Sequence, residues 1–580
     1  MFVRSVRTEG SARTRLWVDL VVVSGLCALL YGLAQVASQW HRPLRHEVDI
    51  DLSPWALPKY AFFSLARGWI AYAFSLLFTV VVGSWAYYDA RARRFVLVAL
   101  DILQSLPVTT FLVVVELALI SLFPSNNVGL ELVCVFAIFT GQVWNMVFSY
   151  YDSLRGLPPD FRMLAKLYNF DWWQRFWRVE LPFSAQGLLY NSMVSMAGGW
   201  FFLTITEAFT LRDQNFRLPG IGSYMRVAVD HHDGAAQFYG IVAMSVVIVA
   251  TDRLIWWPLI VWARRFKLDD FGAGTARKSA LQLWLARSAA LERMAGVWHR
   301  IKARFLPPPT PPCAATSLAP SDQAPPPPTG RGARLAYLAG MAVLLGLIAW
   351  GALRLVGLLI TVKPVEWRHI FIDALYSFGR VMAAVAIGTV WTVPFGVWIG
   401  LNPKVSSRLQ PFIQFAASFP SPMIYPWLFA LVVLVGGTLQ WGSILLILFG
   451  TQWYILFNVA GAAAAIPHDI LSCAALLRLS RWTRWRKFLI PAILPGLVTG
   501  WITAAGGAWN ATVVSEILTV HDHTFEARGL GAYISHAGDT ENYARLTAAA
   551  LVMTIIVVGV NRTVWKRIQT VANERCRFIT

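Results

Sequence analysis

The sequence predicts an all-α polytopic membrane protein made of two homologous six-helix halves, with about twelve transmembrane helices in all. Three observations carry that expectation. Of the 580 residues, 57% are hydrophobic and only 14% charged, with a mean hydropathy of +0.53, whereas a soluble domain is about a quarter charged. Apolar runs near the roughly 20 residues that a spanning helix needs recur along the chain. The two halves also repeat each other in register. Trp144, Pro182, Gly187, Trp200, Glu207, Gly220, Gly222, Tyr224, Arg253 and Trp256 return as Trp453, Pro491, Gly496, Trp509, Glu516, Gly529, Gly531, Tyr533, Arg562 and Trp565, each 309 residues later.

In the first repeat, residues 1–268, the expected spans are Leu16–Val36, Gly68–Tyr88, Val108–Phe123, Leu130–Tyr150, Leu189–Phe209 and Phe238–Ala263. Arg4, Arg7, Arg13 and Arg15 precede the first run without a small-residue cleavage site, so that run reads as a retained span. Positive clusters fall at Arg91–Arg94, in the loop from Arg155, and at Arg264–Lys267. Cytoplasmic loops collect such residues, so six spans place both ends of this half inside. Residues 269–334 change character: a basic, loosely amphipathic helix over 275–305, suited to a membrane surface or a partner, then Pro307–Pro312 and Pro325–Pro328 as an extended tether. The second repeat, 335–580, offers Leu335–Val362, Val381–Leu401, Met423–Val435, Ser443–Ala463, Val498–Val520 and Arg545–Trp565. Ahead of the fourth span the register slips by four, with Leu106-Pro107 answering Phe419-Pro420. Two parallel repeats of this kind imply a pseudo-two-fold axis along the membrane normal and a shared pathway at their interface.

Composition excludes several classes. The net charge of +19 and the 27 Trp fit basic cytoplasmic loops and interfacial belts, not nucleic-acid binding. Five scattered cysteines make neither a disulfide framework nor a metal cluster. Gly-x4-Gly-Lys-Ser/Thr is absent, as is any Gly-Lys pair, so the chain lacks a Walker A phosphate cradle. ATP and Mg are therefore expected on a partner, and no nucleophile or acid–base constellation suggests an enzyme.

A basic, aromatic loop occurs twice, at Asp160–Leu188 and Asp469–Leu497, within coupling segments 154–187 and 463–496. The copies keep Ala165/Ala474, Trp173/Trp482, Pro182/Pro491 and Gly187/Gly496. They resemble the coupling loop of ABC importer permeases, whose pattern is Glu-Ala-Ala, a Gly four residues on, and hydrophobic-x-hydrophobic-Pro. Here the Glu is missing, and Asn169 and Arg478 stand at the Gly position. Asn enters a left-handed turn at modest cost, Arg less readily. Trp-x6-Glu followed by Gly220-Ile-Gly-Ser-Tyr224 or Gly529-Leu-Gly-Ala-Tyr533, and the Ser418–Pro422 run, resemble the nitrate/taurine/bicarbonate branch in its duplicated, fused form. The resemblance implies a type I importer permease fold in the bacterial inner membrane, with both termini cytoplasmic. It also implies two cytoplasmic ABC ATPase subunits that carry ATP and Mg, a periplasmic binding protein, and a small anion as cargo. Ala165, Asn169, Trp173, Arg175, Arg178 and Pro182, with Ala474, Arg478, Trp482, Arg484, Arg486 and Pro491, would then couple to the ATPases.

Glu207 and Glu516 near the outer ends of the fifth spans read either as interfacial acids paired with an Arg or as parts of a gate. Gln142, Trp144, Asn145 and Trp200, with Gln452, Trp453, Trp509 and Asn510, offer amide and indole donors for a weakly hydrated anion, or plain helix packing. No apolar-buried Arg stands out to hold that anion. Asp230, His231, His232 and Asp233, like Glu516, His521, Asp522 and His523, suit a solvated outer loop better than a zinc site. The rival is a secondary transporter of the major facilitator type, also two parallel six-helix halves. It would show Gly-x4-Asp-Arg-x-Gly-Arg-Arg, of which Asp89–Arg94 is an echo without the Gly.

Overall fold

The helices follow from the apolar runs, and their breaks follow from proline and buried charge. The computed structural model describes residues 12–43, 48–211, 214–266, 331–467, 480–520, 523–540 and 542–576, with isolated positions at 288–300, 471, 472 and 476. The basic segment and Pro-rich tether, Ala474, Arg478, His521 and Asp522 lie outside the described residues. The first half runs α1 (Ala12–Trp40), α2 (Leu57–Tyr88), α3 (Ala90–Ser105), α4 (Val108–Leu122), α5 (Val128–Arg155), α6 (Pro159–Leu167), α7 (Trp172–Arg175) and α8 (Leu181–Thr206). A hairpin of β1 (Ala208–Leu211) and β2 (Gln214–Arg217) follows, then α9 (Ile221–Asp230), α10 (Gly234–Thr251) and α11 (Trp257–Ala263). The second half runs α12 (Arg331–Ile360), α13 (Pro364–Leu401), α14 (Pro403–Ser418), α15 (Tyr425–Leu434), α16 (Leu439–Ala464), α17 (Arg481–Arg484) and α18 (Ile490–Ser515). It ends with β3 (Ile517–Val520), β4 (His523–Glu526), α19 (Leu530–Asp539), α20 (Tyr543–Val560) and α21 (Lys566–Cys576).

Among the described residues nine helical stretches are long and apolar enough to cross a membrane. The third position of each half differs from the straight spans expected at Val108–Phe123 and Met423–Val435. Each is instead the second arm of a broken pair, α3 with α4 bent by 94° and α14 with Ser421–Leu434 bent by 83°. Pro107 and Pro420 sit in the breaks, where a residue without an N–H and with a fixed φ cannot continue the preceding helix. The fifth spans begin and end earlier than expected, and their helices start at Leu181 and Ile490. Their helices stop at Thr206 and Ser515, and the apolar residues beyond pair as hairpins, Ala208 opposite Arg217 and Ile517 opposite Glu526. Pro182 and Pro491 follow π-helical turns, Phe176–Glu180 and Trp485–Leu489, which open the hydrogen-bond ladder where proline cannot donate.

The cores are formed by α2, α5 and α8 in the first half and by α13, α16 and α18 in the second. Lipid offers no hydrophobic force between helices, so close backbone approach at small residues carries the packing. A Cβ on Gly400 would lie 2.5 Å from the Ala460 carbonyl, and one on Gly496 2.6 Å from Ala462. The broken pairs tie the halves together, α4 crossing α18 and α14 crossing α8. Asn510 of α18 caps α4: Val108 N–H donates to its Oδ1 at 2.7 Å, and the Thr109 hydroxyl donates to its carbonyl at 3.1 Å. The first N–H of α4, which no helix satisfies internally, is thus met from the other half.

Candidate functional site

Each half contains a buried charge bracket that joins its second, fourth and fifth spanning helices. In the first, Arg67 of α2 donates from Nε and Nη2 to Glu131 of α5 at 2.6 and 2.8 Å, and from Nη1 to Glu207 at 2.8 Å. Glu207 also accepts from Ser64 Oγ at 2.6 Å and from Gly222 N–H at 2.7 Å. In the second, Arg380 donates to Glu516 at 2.8 Å, and Glu516 accepts from Ser377 Oγ at 2.6 Å and Gly531 N–H at 2.7 Å. Arg67 is 1% exposed and Arg380 5%, so Glu207 and Glu516 are each paired with an arginine in the buried interior. The Gly-x-Gly pairs exist for this approach. A Cβ on Gly220 would lie 2.2 Å from the Glu207 carboxyl carbon, and one on Gly529 2.3 Å from Glu516 Oε2.

The brackets differ at one place. Glu131 is answered 309 residues later by Gln440, whose Oε1 accepts from Arg380 Nη2 at 2.6 Å. Arg67 therefore faces two carboxylates and Arg380 one. No buried Arg for an anion stands out in the sequence, and the two buried arginines among the described residues are held by glutamates. The signal was Ser64-x-x-Arg67 and Ser377-x-x-Arg380, matched 313 residues apart in the slipped register. Spans drawn from Gly68 and Val381 began one residue too late to include it.

A separate cavity of about 280 Å³ lies between the halves. Four of the residues proposed from the sequence, Trp144, Asn145, Trp509 and Asn510, line it beside Ser195, Phe201, Thr451, Tyr454 and Asn561. No lining residue is charged. The Ser195 hydroxyl is buried and without a protein partner. The remaining candidates do not line this cavity. Gln142 is buried against Ser75 and Met196, and Trp200 packs in the first-half core and on a smaller pocket of about 70 Å³. Gln452 accepts from the Trp391 indole at 3.1 Å, and the Trp453 ring stands edge-on to Trp391. Glu207 and Glu516 are in the brackets.

At the opposite end of α8 from the hairpin, the first coupling segment is an aromatic block. Trp172 and Trp173 stack on Phe176, and Trp177 stands edge-on to Trp173. Ala165 is buried, and Asn169 adopts φ 45°, the left-handed turn that the Gly position calls for. Arg178 lies 5.4 Å from the Phe170 ring centroid. In the second segment Trp482 is 74% exposed. Among the described residues no group of three His, Cys, Asp or Glu could hold a metal. Asp230 instead pairs with Arg217 and Arg226, and Asp233 caps α10 through Ala236 N–H.

A family model described as the binding-protein-dependent transport system inner membrane component matches residues 75–257 and again 392–575. Among curated proteins, the chain is 27% identical over 193 residues to the bicarbonate transport system permease protein CmpB of Synechococcus elongatus, covering 33% of this chain and 64% of that one. It is 28% identical over 192 residues to the nitrate import permease protein NrtB of Leptolyngbya laminosa, covering 33% and 63%. It is 25% identical over 173 residues to the taurine transport system permease protein TauC of Escherichia coli, covering 30% and 58%. The chain thus spans just under two thirds of the length of the first two relatives. The family model covers more than half of this chain, and the chain belongs, in duplicate, to the inner membrane components of binding-protein-dependent transport systems.

Proposed function

We propose that the chain is the permease subunit of an ABC importer and that a small anion crosses at the interface of its two halves. The observation that carries this reading is the interfacial cavity, lined from both halves and free of charged side chains. Amide, hydroxyl and indole groups hold a monoanion without the desolvation cost of a buried countercharge. The brackets keep their charges to themselves, so they stiffen each half and leave the pathway neutral. Two cytoplasmic ATPase subunits with ATP and Mg dock on the coupling segments around Ala165, Asn169, Trp173 and Pro182 and around Trp482 and Pro491, and drive alternating access. A periplasmic binding protein delivers the cargo. The chain sits in an inner membrane with both ends cytoplasmic, and residues 269–334 tether the halves. The relatives named for bicarbonate, nitrate and taurine transport support an anion of that kind.

The test is affinity purification of the full chain in mild detergent, mass spectrometry of what accompanies it, and an ATPase assay with bicarbonate, nitrate and taurine. A Walker-type subunit should accompany the wild type and be lost from a variant with Trp173, Arg175, Trp482 and Arg484 changed to Ala. A protein that stays alone when candidate ATPases are co-expressed, and that moves cargo on a proton gradient, would be a secondary transporter instead.

A further inference from the structure

The two coupling segments share one backbone plan but balance their charge differently. Asp171 caps α7 through Gln174 N–H, and Ser480 caps α17 through Thr483 N–H. Each short helix closes on an arginine, Arg175 or Arg484, 309 residues apart, and then enters a π-helical turn. Arg175 is neutralised from within. Its Nε lies 2.9 Å from Glu180 Oε1, close enough to pair charge although the N–H is not aligned on the oxygen. Its guanidinium lies 4.7 Å from the Tyr88 ring centroid, and the Tyr88 hydroxyl donates to the same carboxylate. Glu180 is 2% exposed, so this carboxylate is closed to a partner protein.

The second segment has lost both groups. Leu489 stands at the Glu180 position, and Leu401 stands at the Tyr88 position in the slipped register. Both belong to one apolar cluster with Val459 and Ile493. Arg484 keeps its place, with Nε buried and without a hydrogen-bond partner. Among the described residues no acid pairs with it and no aromatic ring lies beneath it. Arg481, Arg486 and Lys487 surround it as exposed cations. A half-sealed guanidinium without a counterion among the described residues is costly, and the first repeat displays what settles it, a carboxylate.

Resting on the importer reading, we infer that a carboxylate side chain of the docked ATPase subunit pairs with Arg484. The planar guanidinium fork of a half-buried arginine suits bidentate recognition of a carboxylate. Arg481, Arg486 and Lys487 then meet an acidic rim, and exposed Trp482 is the apolar anchor. The first segment docks through its block of Trp172, Trp173 and Trp177, with its equivalent arginine already used. The two ATPase contacts are therefore unequal, one charge-dependent and one aromatic.

The test captures the ATPase subunit from mild detergent with the tagged full chain over a range of salt concentrations. Arg484→Ala should lower capture about tenfold at low salt, the worth of one charge-assisted pair, and Arg484→Lys should recover only part of it. Leu489→Glu with Leu401→Tyr rebuilds the first-half arrangement, occupies Arg484 internally, and should lower capture similarly while leaving the size-exclusion profile intact. Reversing the partner's acid to Arg should be rescued by Arg484→Glu. Capture by the Leu489→Glu, Leu401→Tyr chain that equals the wild type at every salt concentration overturns the inference and leaves the importer reading standing. So does capture that Arg484→Ala changes only when anionic lipid is present, which assigns the arginine to lipid headgroups. A wild type that captures no ATPase sinks both.

Discussion

At the scale of single residues, the deciding feature is that each buried arginine is held by a different number of charges. Removing one member of a buried pair costs about 3–5 kcal/mol, because the other charge stays behind without compensation. Arg67→Ala would strand Glu131 and Glu207, whereas Arg380→Ala would strand Glu516 and a neutral Gln440. Thermal unfolding in detergent should therefore show the larger loss for Arg67→Ala, and equal losses would mean that Glu131 carries no charge there. Glu131→Gln copies the second half and should be tolerated. Gly220→Ala and Gly529→Ala should each abolish a monodisperse product, since the new methyl collides with a buried carboxylate, while Gly25→Ala meets open space and should be neutral. The glutamates and glycines were legible because they repeat in register. The arginines were not, because hydropathy treats a charge as the end of a span, and here the charge is cancelled within the bundle. Glu131 left no repeat signal at all, its counterpart being Gln440.

At the scale of elements, chain breaks decide where backbone donors need help. The first turn of α4 follows Pro107 and takes its cap from Asn510 of the other half. Asn510→Ala should cost about 1 kcal/mol, as loss of an N-terminal cap does, and the fall in melting temperature should vanish in a Val108→Pro background that has no N–H to cap. Asn169, at φ 45°, turns the first coupling loop. Asn169→Gly should keep ATPase stimulation, whereas Asn169→Val forces a β-branched residue into that region at about 1–2 kcal/mol and should reduce it. The broken third positions were half legible. Their apolar runs of Val108–Phe123 and Met423–Val435 were too short to cross alone, and the prolines marked the break, but no sequence pattern gives a bend of 94° or 83°. The fifth spans were drawn past their C-terminal ends because Ala208–Leu211 and Ile517–Val520 are as apolar as the helices they leave. Only their hairpin pairing separates them.

At the scale of the whole molecule, duplication supplies two similar walls, and sequence drift makes the space between them asymmetric. Ser195 and Asn145 contribute from the first half where the second places Ala504 and Tyr454, so the cavity is not two-fold in its chemistry. The register pairs Trp144 with Trp453 and Trp200 with Trp509, yet only Trp144 and Trp509 line the cavity, so each half turns a different stripe to the interface. Periodicity alone does not say which stripe. A neutral wall makes a sharp demand on cargo. A carboxylate placed about 4 Å from a transported anion at an effective dielectric near 20 repels it by about 4 kcal/mol. Asn145→Asp should therefore cut anion uptake into proteoliposomes of the assembled complex by at least about a hundredfold, each 1.4 kcal/mol being a factor of ten. Asn145→Ala, which removes one donor without adding charge, should cost only about tenfold or less. That ordering separates electrostatics from packing, since both variants shrink or preserve the side chain but only one changes its sign. Uptake by Asn145→Asp equal to that of Asn145→Ala would mean that the anion does not pass beside residue 145, and that this cavity is not the pathway.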